Sequence, residues 1–208
     1  MGWQAVNVSM NTASDETKSV MDAKLYKLQP HKLSQVKPHH NVVIWIDSKI
    51  SSLNMSRVDE LLKQSSAGMI MPQNFCCGGL RNDIMDEFRK SMEQQRYDAQ
   101  SDKIMAFISS MTNLGFDRVS NRFSAGGATI MRIRRPAVRR ALDTWYSMTR
   151  KTGIYQDQIV WHFVQQMYGS VIEVYTGDWP TALPKIYDLP FSHVDDVDVD
   201  ASLSERRA

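Results

Sequence analysis

Cysteine is nearly absent from this chain: two residues in 208, adjacent to each other at Cys76 and Cys77. Neighbouring cysteines have poor disulfide geometry and supply half of a zinc site at most. A disulfide scaffold and a cysteine-based zinc module are thereby excluded, and a reducing compartment such as the cytoplasm is expected. Long hydrophobic runs are missing too. No window approaches the ~18 apolar residues that a membrane span requires, and the opening MGWQAVNVSM has neither the basic start nor the apolar core of an export signal. Nor is there an excess of charge: Lys+Arg 25 against Asp+Glu 23 leaves +2, too even to attract nucleic acid as a whole, so anion recognition has to be local. The P-loop, G-x-S-x-G and H-E-x-x-H motifs are all lacking, which removes several enzyme classes. There is no internal repeat.

What remains is an ordinary globular composition, 42% apolar, sufficient for one medium domain over residues 1–190 with a solvated tail at 191–208. Residues 2–8 alternate like a strand, and 11–19 read as a polar loop. The spacing of Leu25, Leu28 and Leu33 predicts a helix ending near Pro30. Val42 to Ile46 reads as a buried central strand, Ser56 to Lys63 as a short capped helix and Gly68 to Pro72 as a second strand. From Asn82 to about Ser110 the apolar spacing predicts one long helix, or two joined near Tyr97. Ala128 to Ile133 is strand-like. Pro136 opens a helix closed by Gly153, and an amphipathic helix carrying Asp157 precedes the strand SVIEVY. Strands alternating with helices predict the α/β class, with a mixed, mostly parallel sheet flanked by helices on both faces.

Ligands of open α/β sheets sit outside the carboxyl ends of strands, and Asp47 follows the run VVIWI at such a point. Its carboxylate could hold Mg²⁺ or Mn²⁺ bridging a diphosphate, or could merely cap a turn. Lys49, two residues on, would weaken a cation site or meet a phosphate itself. Gly126 and Gly127 could admit a sugar or phosphate close to the backbone, or form an ordinary strand entry. Lys24, Lys27 and His31 could face an anion, although lysines along a helix usually face water. Asp157 gains from the helix dipole without any function. With Gln158, and with His162 about a turn later, it would form a polar cluster on an otherwise apolar helix, yet a lone histidine there is more often a packing residue, and the same holds for His193. The arginines between 132 and 140 lack interleaved aromatics and are expected on an exposed edge rather than on nucleic acid.

In order, AKLYKLQPHKL, VVIWIDSKI, MDEFRKSMEQQRY, a Gly-rich strand and YQDQIVWHFV resemble a glycosyltransferase family once listed as a domain of unknown function. It is found in plant Golgi proteins of wall polysaccharide assembly, in bacteria and in large viruses. IWIDSKISSLNMSRVDELL is similar to the amino-terminal glycosyltransferase domain of chlorella viruses. The resemblance spans about residues 2–175, and its sharpest points are the K-L-x-P-H helix followed by W-I-D, and the D-Q pair.

The resemblance implies a GT-A type fold, a nucleotide-sugar donor (a UDP-hexose or UDP-deoxyhexose), a glycan acceptor and Mn²⁺ or Mg²⁺. Asp47 would be the first acid of the D-x-D position, with Lys49 where many relatives have the last acid, and His162 a further metal ligand. Lys24, Lys27 and His31 would lie near the donor's nucleotide or diphosphate. Gly126 and Gly127 would lie near its sugar. Asp157, with Gln158, would face the acceptor, as general base if the mechanism inverts. The family's first strand and helix have no counterpart upstream of Met1, so the chain is expected to be cut at its start. A noncatalytic nucleotide-sugar or glycan binding module is the alternative from another class.

Overall fold

The computed structural model describes residues 16–47, 52–73, 75–76, 79–80, 82–120, 122–124, 127–176 and 181–182. The strand expected at 2–8, His193 and the tail at 191–208 lie outside them. The helices are α1 (Glu16–Leu28), α2 (Met55–Gln64), α3 (Ile84–Met92), α4 (Ser101–Asn113), α5 (Pro136–Thr152) and α6 (Asp157–Met167). The strands are β1 (Val43–Ile46), β2 (Ser52–Leu53), β3 (Met69–Pro72), β4 (Phe75–Cys76), β5 (Gly79–Leu80), β6 (Ala128–Met131), β7 (Ile172–Tyr175) and β8 (Thr181–Ala182). Two 3₁₀ turns, Pro30–Lys32 and Gln95–Gln100, complete the elements.

Local sequence explains most boundaries. Asn54 caps α2 by accepting from the Arg57 N–H at 3.1 Å, in place of the serine cap expected from the sequence. Asp83 caps α3 through the Met85 N–H at 2.9 Å. The long helical stretch divides where expected, with Tyr97 inside the 3₁₀ turn between α3 and α4. Pro136 opens α5, and Gly153 closes it with φ 62°, a left-handed conformation that a side chain would strain. The polar stretch taken as loop up to Ser19 already contains the start of α1.

The main sheet has the order β1-β6-β3-β7. β6 pairs antiparallel with both β1 and β3, and β3 pairs parallel with β7. Three strands therefore share one direction and β6 alone is reversed. The sheet is mixed as expected, but two of its three ladders are antiparallel rather than mostly parallel. A second correction concerns β1: its residues are half-buried, and among the described residues it is an edge strand, while the buried centre belongs to β3 and β6.

Period-two alternation distributes the sheet's side chains to two cores. Met69, Met71 and Met131 pack with the residues of α3 to α6, including Trp145, Trp161 and Phe163. Ile70 and Ile130 point the other way, onto Val58 and Leu61 of α2. Helices thus cover both faces. At the join, Gly68 is buried, and a Cβ there would lie 2.5 Å from Val138 Cγ2 and 2.7 Å from Val171 Cγ1. Because Gly68 also bonds Val171 and Arg132 through its backbone, it has little room to retreat. Gly68→Ala is expected to cost about 1–3 kcal/mol, read as a lower urea midpoint with an unchanged slope.

The arginine cluster fastens backbone. Arg132 donates to the carbonyls of Leu62 and Ser65 at 2.7 and 2.8 Å, Arg134 to those of His40 and Lys37, and Arg135 to Ser66 at 2.5 Å. Guanidinium donors committed in this way anchor the chain around α2 and the approach to β1. No helix among the described residues is long and apolar enough to cross a membrane.

Candidate functional site

Topology brings the carboxyl ends of β1, β3 and β7 and the start of β6 to one end of the sheet. Asp47 lies one residue beyond β1, and its N–H donates to the Gly127 carbonyl at 2.8 Å, extending the β1–β6 ladder to the loop before β6. The Trp45 indole N–H donates to Asp47 Oδ1 at 2.7 Å, which fixes one carboxylate oxygen. The other, Oδ2, lies 3.4 Å from where a Gly127 Cβ would be. Any residue larger than glycine at 127 would set a methyl group or more against that oxygen. Gly126 and Lys49 lie outside the described residues.

Asp157 reaches the same end by helix length. The chain turns back within a few residues of the end of α6 to begin β7, so 11 helical residues carry the start of α6 about 16 Å toward the carboxyl ends of the strands. There α1, packed against α5, presents two lysines to it. Lys24 Nζ bonds Asp157 Oδ1, and Lys27 Nζ lies 2.8 Å from Oδ2. The Lys27 contact is an ion pair by distance, but its direction leaves Oδ2 without an aligned hydrogen bond. The Asp157 side chain is 5% exposed. Burial by itself pushes this carboxyl up, yet the charges of Lys27 and Lys24 and the Lys24 hydrogen bond outweigh it and hold the group well below the usual carboxylate range. Burial likewise pulls the Lys27 ammonium down, and the charges of Asp157 and Asp47 more than offset it. Lys27 also sits 5.5 Å from the centre of the Trp145 ring. One ammonium thus answers to both acids, and Asp47, Lys27, Lys24 and Asp157 form a single charged set.

The other expected residues have different places. His31 lies 3.2 Å from Asp143 Oδ1, to which Lys32 (2.7 Å) and Gln29 (2.6 Å) also turn. This cluster ties the end of α1 to α5, and burial keeps the His31 ring below its ordinary value against the opposing charge of Asp143. Gln158 donates to the Ser124 carbonyl. Ser124 is also bonded by Trp161 Nε1 at 2.8 Å and by Gln165 at 3.0 Å, so Gln158 helps hold the segment that leads to Gly127. His162 is 1% exposed, packs edge-on against Phe123 and Phe163, and engages the Asp117 carbonyl through Nε2 at 2.9 Å. Burial pushes its ring down, and the acids that act on it are Asp83 and Asp117, not Asp47. Its position is a packing one rather than that of a metal ligand.

No group of three or more His, Cys, Asp or Glu residues among the described ones could hold a metal ion. Asp47 could contribute one carboxylate to such a site, since Mg²⁺-type sites often use one with phosphate oxygens supplying much of the remainder. Sequence reading missed the Trp45 and Trp145 indoles: the second donates to the Asp157 carbonyl at 2.9 Å. It missed Gln156 as well, which bonds Glu87 Oε1 at 3.0 Å and Ser91 Oγ at 3.1 Å. A separate hollow of about 540 Å³ beside β7, bordered by Ser66, Arg122, Ser170, Glu173 and Thr176, contains none of the candidate residues.

Comparison with protein-family models, curated proteins and solved structures gave no match.

Proposed function

We propose that the chain is a glycosyltransferase that moves a sugar from a nucleotide-diphosphate donor, a uridine diphosphate hexose or deoxyhexose, to a glycan hydroxyl. The observation that carries this reading is the joint charged set: a helix-start acid, Asp157, paired with Lys24 and Lys27, and a strand-end acid, Asp47, whose charge also bears on Lys27. Two acids and two lysines gathered at the carboxyl end of the sheet have the charges that an activated sugar requires. The lysines answer the diphosphate, and the acids serve a cation and a reacting hydroxyl. Asp47, through Oδ2, would hold Mn²⁺ or Mg²⁺, and that ion when bound would neutralise charge on the departing diphosphate. Lys24 and Lys27 bind and orient the diphosphate, Gly127 keeps the approach to Asp47 open, and Asp157 accepts the proton of the acceptor hydroxyl. The scarcity of cysteine suits a cytoplasmic setting.

Hydrolysis or transfer from uridine diphosphate sugars, measured with and without Mn²⁺, tests the reading. Turnover is expected with Mn²⁺, and Asp47→Ala is expected to lower it about tenfold or more. Turnover unaffected by Asp47→Ala would remove the assignment. A second reading, a noncatalytic nucleotide-sugar or glycan binding module, is favoured by one observation: an acid paired with two lysines is a feeble proton acceptor. Calorimetric binding of the donor with no product after long incubation would select it.

A further inference from the structure

We infer that Asp157 is an internal stand-in for a bound anion: its carboxylate occupies Lys24 and Lys27 until a diphosphate takes them over, and this exchange frees Asp157. The inference rests on the transferase reading, because it takes these lysines as the diphosphate's partners.

Geometry supports the exchange. The two lysines lie three residues apart, on one side of α1, and each faces a different oxygen of the same carboxylate. A diphosphate offers the same pattern, negative oxygens side by side, with more of them. The resident carboxylate is also imperfectly served. Its Oδ2 is buried without an aligned hydrogen bond although Lys27 is 2.8 Å away, so the ammonium retains donor capacity that a better-placed oxygen could use. Access is graded: the Lys24 side chain is 19% exposed, that of Lys27 10% and that of Asp157 5%. An incoming anion therefore meets Lys24 first and Asp157 last.

Charge counting gives the exchange a consequence. Lys24 and Lys27 against Asp157 and Asp47 sum to zero. An anion of two or more negative charges leaves an excess of negative charge in a poorly solvated place, and Asp157 is the acid there most shielded from water. The groups around it are Lys24 and Lys27 from α1 and the Trp145 indole on its carbonyl from α5, while the charges of Asp47 and Tyr97 also bear on Lys27. Once the lysines turn to the diphosphate, burial dominates and the Asp157 carboxylate readily accepts a proton. A group inert in the empty site becomes basic only when the donor is present.

The test is pyrophosphate binding by calorimetry to the full chain and to D157N. D157N is expected to bind pyrophosphate at least fivefold more tightly, because the internal competitor has lost its charge. Equal or weaker binding by D157N overturns the exchange and leaves diphosphate binding by this site intact. Absence of binding by both chains overturns both readings. Because D157N can fail to fold, a second measurement uses the unaltered chain: the carbon-13 resonance of the Asp157 carboxyl, assigned through its own backbone, during a pyrophosphate titration. It is expected to move in step with saturation, and a resonance that stays fixed while pyrophosphate binds overturns the exchange.

Discussion

Asp157→Ala is expected to lower the unfolding free energy by about 3–5 kcal/mol, the cost of removing one partner from a buried ion pair. The size follows from what stays behind. Lys27 is 9% exposed and Lys24 is partly buried, so the substitution leaves two ammonium groups that have lost their principal counter-charge. Of the groups that act on Lys27, Asp47 and Tyr97 remain. Adding Lys24→Met and Lys27→Met to the same chain is expected to recover most of the loss, since apolar replacements of similar volume need no counter-charge. Urea unfolding of the three chains measures both effects. The same contact fixes an acid limb. The native carboxyl is held low and the unfolded one titrates near ~4, so below about that pH the unfolded chain takes up a proton that the native chain does not. The contribution is fully present above the unfolded value and fades as the pH falls toward the native one. The original chain should lose stability as the pH is lowered from about 5 to 2, and Asp157→Ala should flatten that slope.

Trp145→Ala is expected to cost about 3–5 kcal/mol as well, by a different route. Trp145 is 1% exposed, and its ring centre lies 4.2 Å from that of Trp161 with the planes tilted by 33°. The cavity would form between α5 and α6. The Asp157 carbonyl would lose its indole donor at 2.9 Å, and Lys27 would lose the ring face beside it. Trp145→Phe separates these contributions: it restores much of the volume and an aromatic face but no N–H. It is expected to recover more than half of the stability, while the affinity for pyrophosphate stays below that of the original chain because the start of α6 is less well anchored. Equal unfolding midpoints for Trp145→Ala and the original chain would show that the tryptophan pair is not the central packing contact of these helices.

Helix positions were legible because their signals are local. Pro136 and Gly153 bound α5, and apolar spacing marks α3, α4 and α6. Strand neighbours were not legible. VVIWI has the composition of a central strand, but its place at an edge depends on β6, which arrives eighty residues later and reversed. The candidate site was readable only in part for a similar reason. Asp47 and Asp157 stood out as acids at the ends of apolar runs, and Lys24 and Lys27 as a helical pair. That one lysine answers to both acids is a property of three elements meeting. His162 misled because a histidine five residues after an acid shares a helix with it without sharing its face: here its partners are aromatic rings and a backbone carbonyl. Gln158 misled in the opposite way, since its amide serves a main-chain carbonyl. Trp45, passed over as one more apolar strand residue, directs the Asp47 carboxylate.

Beside the reversed strand β6, the exit of β1 is joined to a loop from a distant part of the chain by a main-chain bond, Asp47 to Gly127. The register of the β1–β6 ladder is already set by the Ile46–Ala128 pair, before that bond. On the proposed transferase reading, the residues that meet the ligand and those that hold the sheet are thereby separable, and the positions flanking this bond are the natural places to graft new specificity onto an unchanged scaffold.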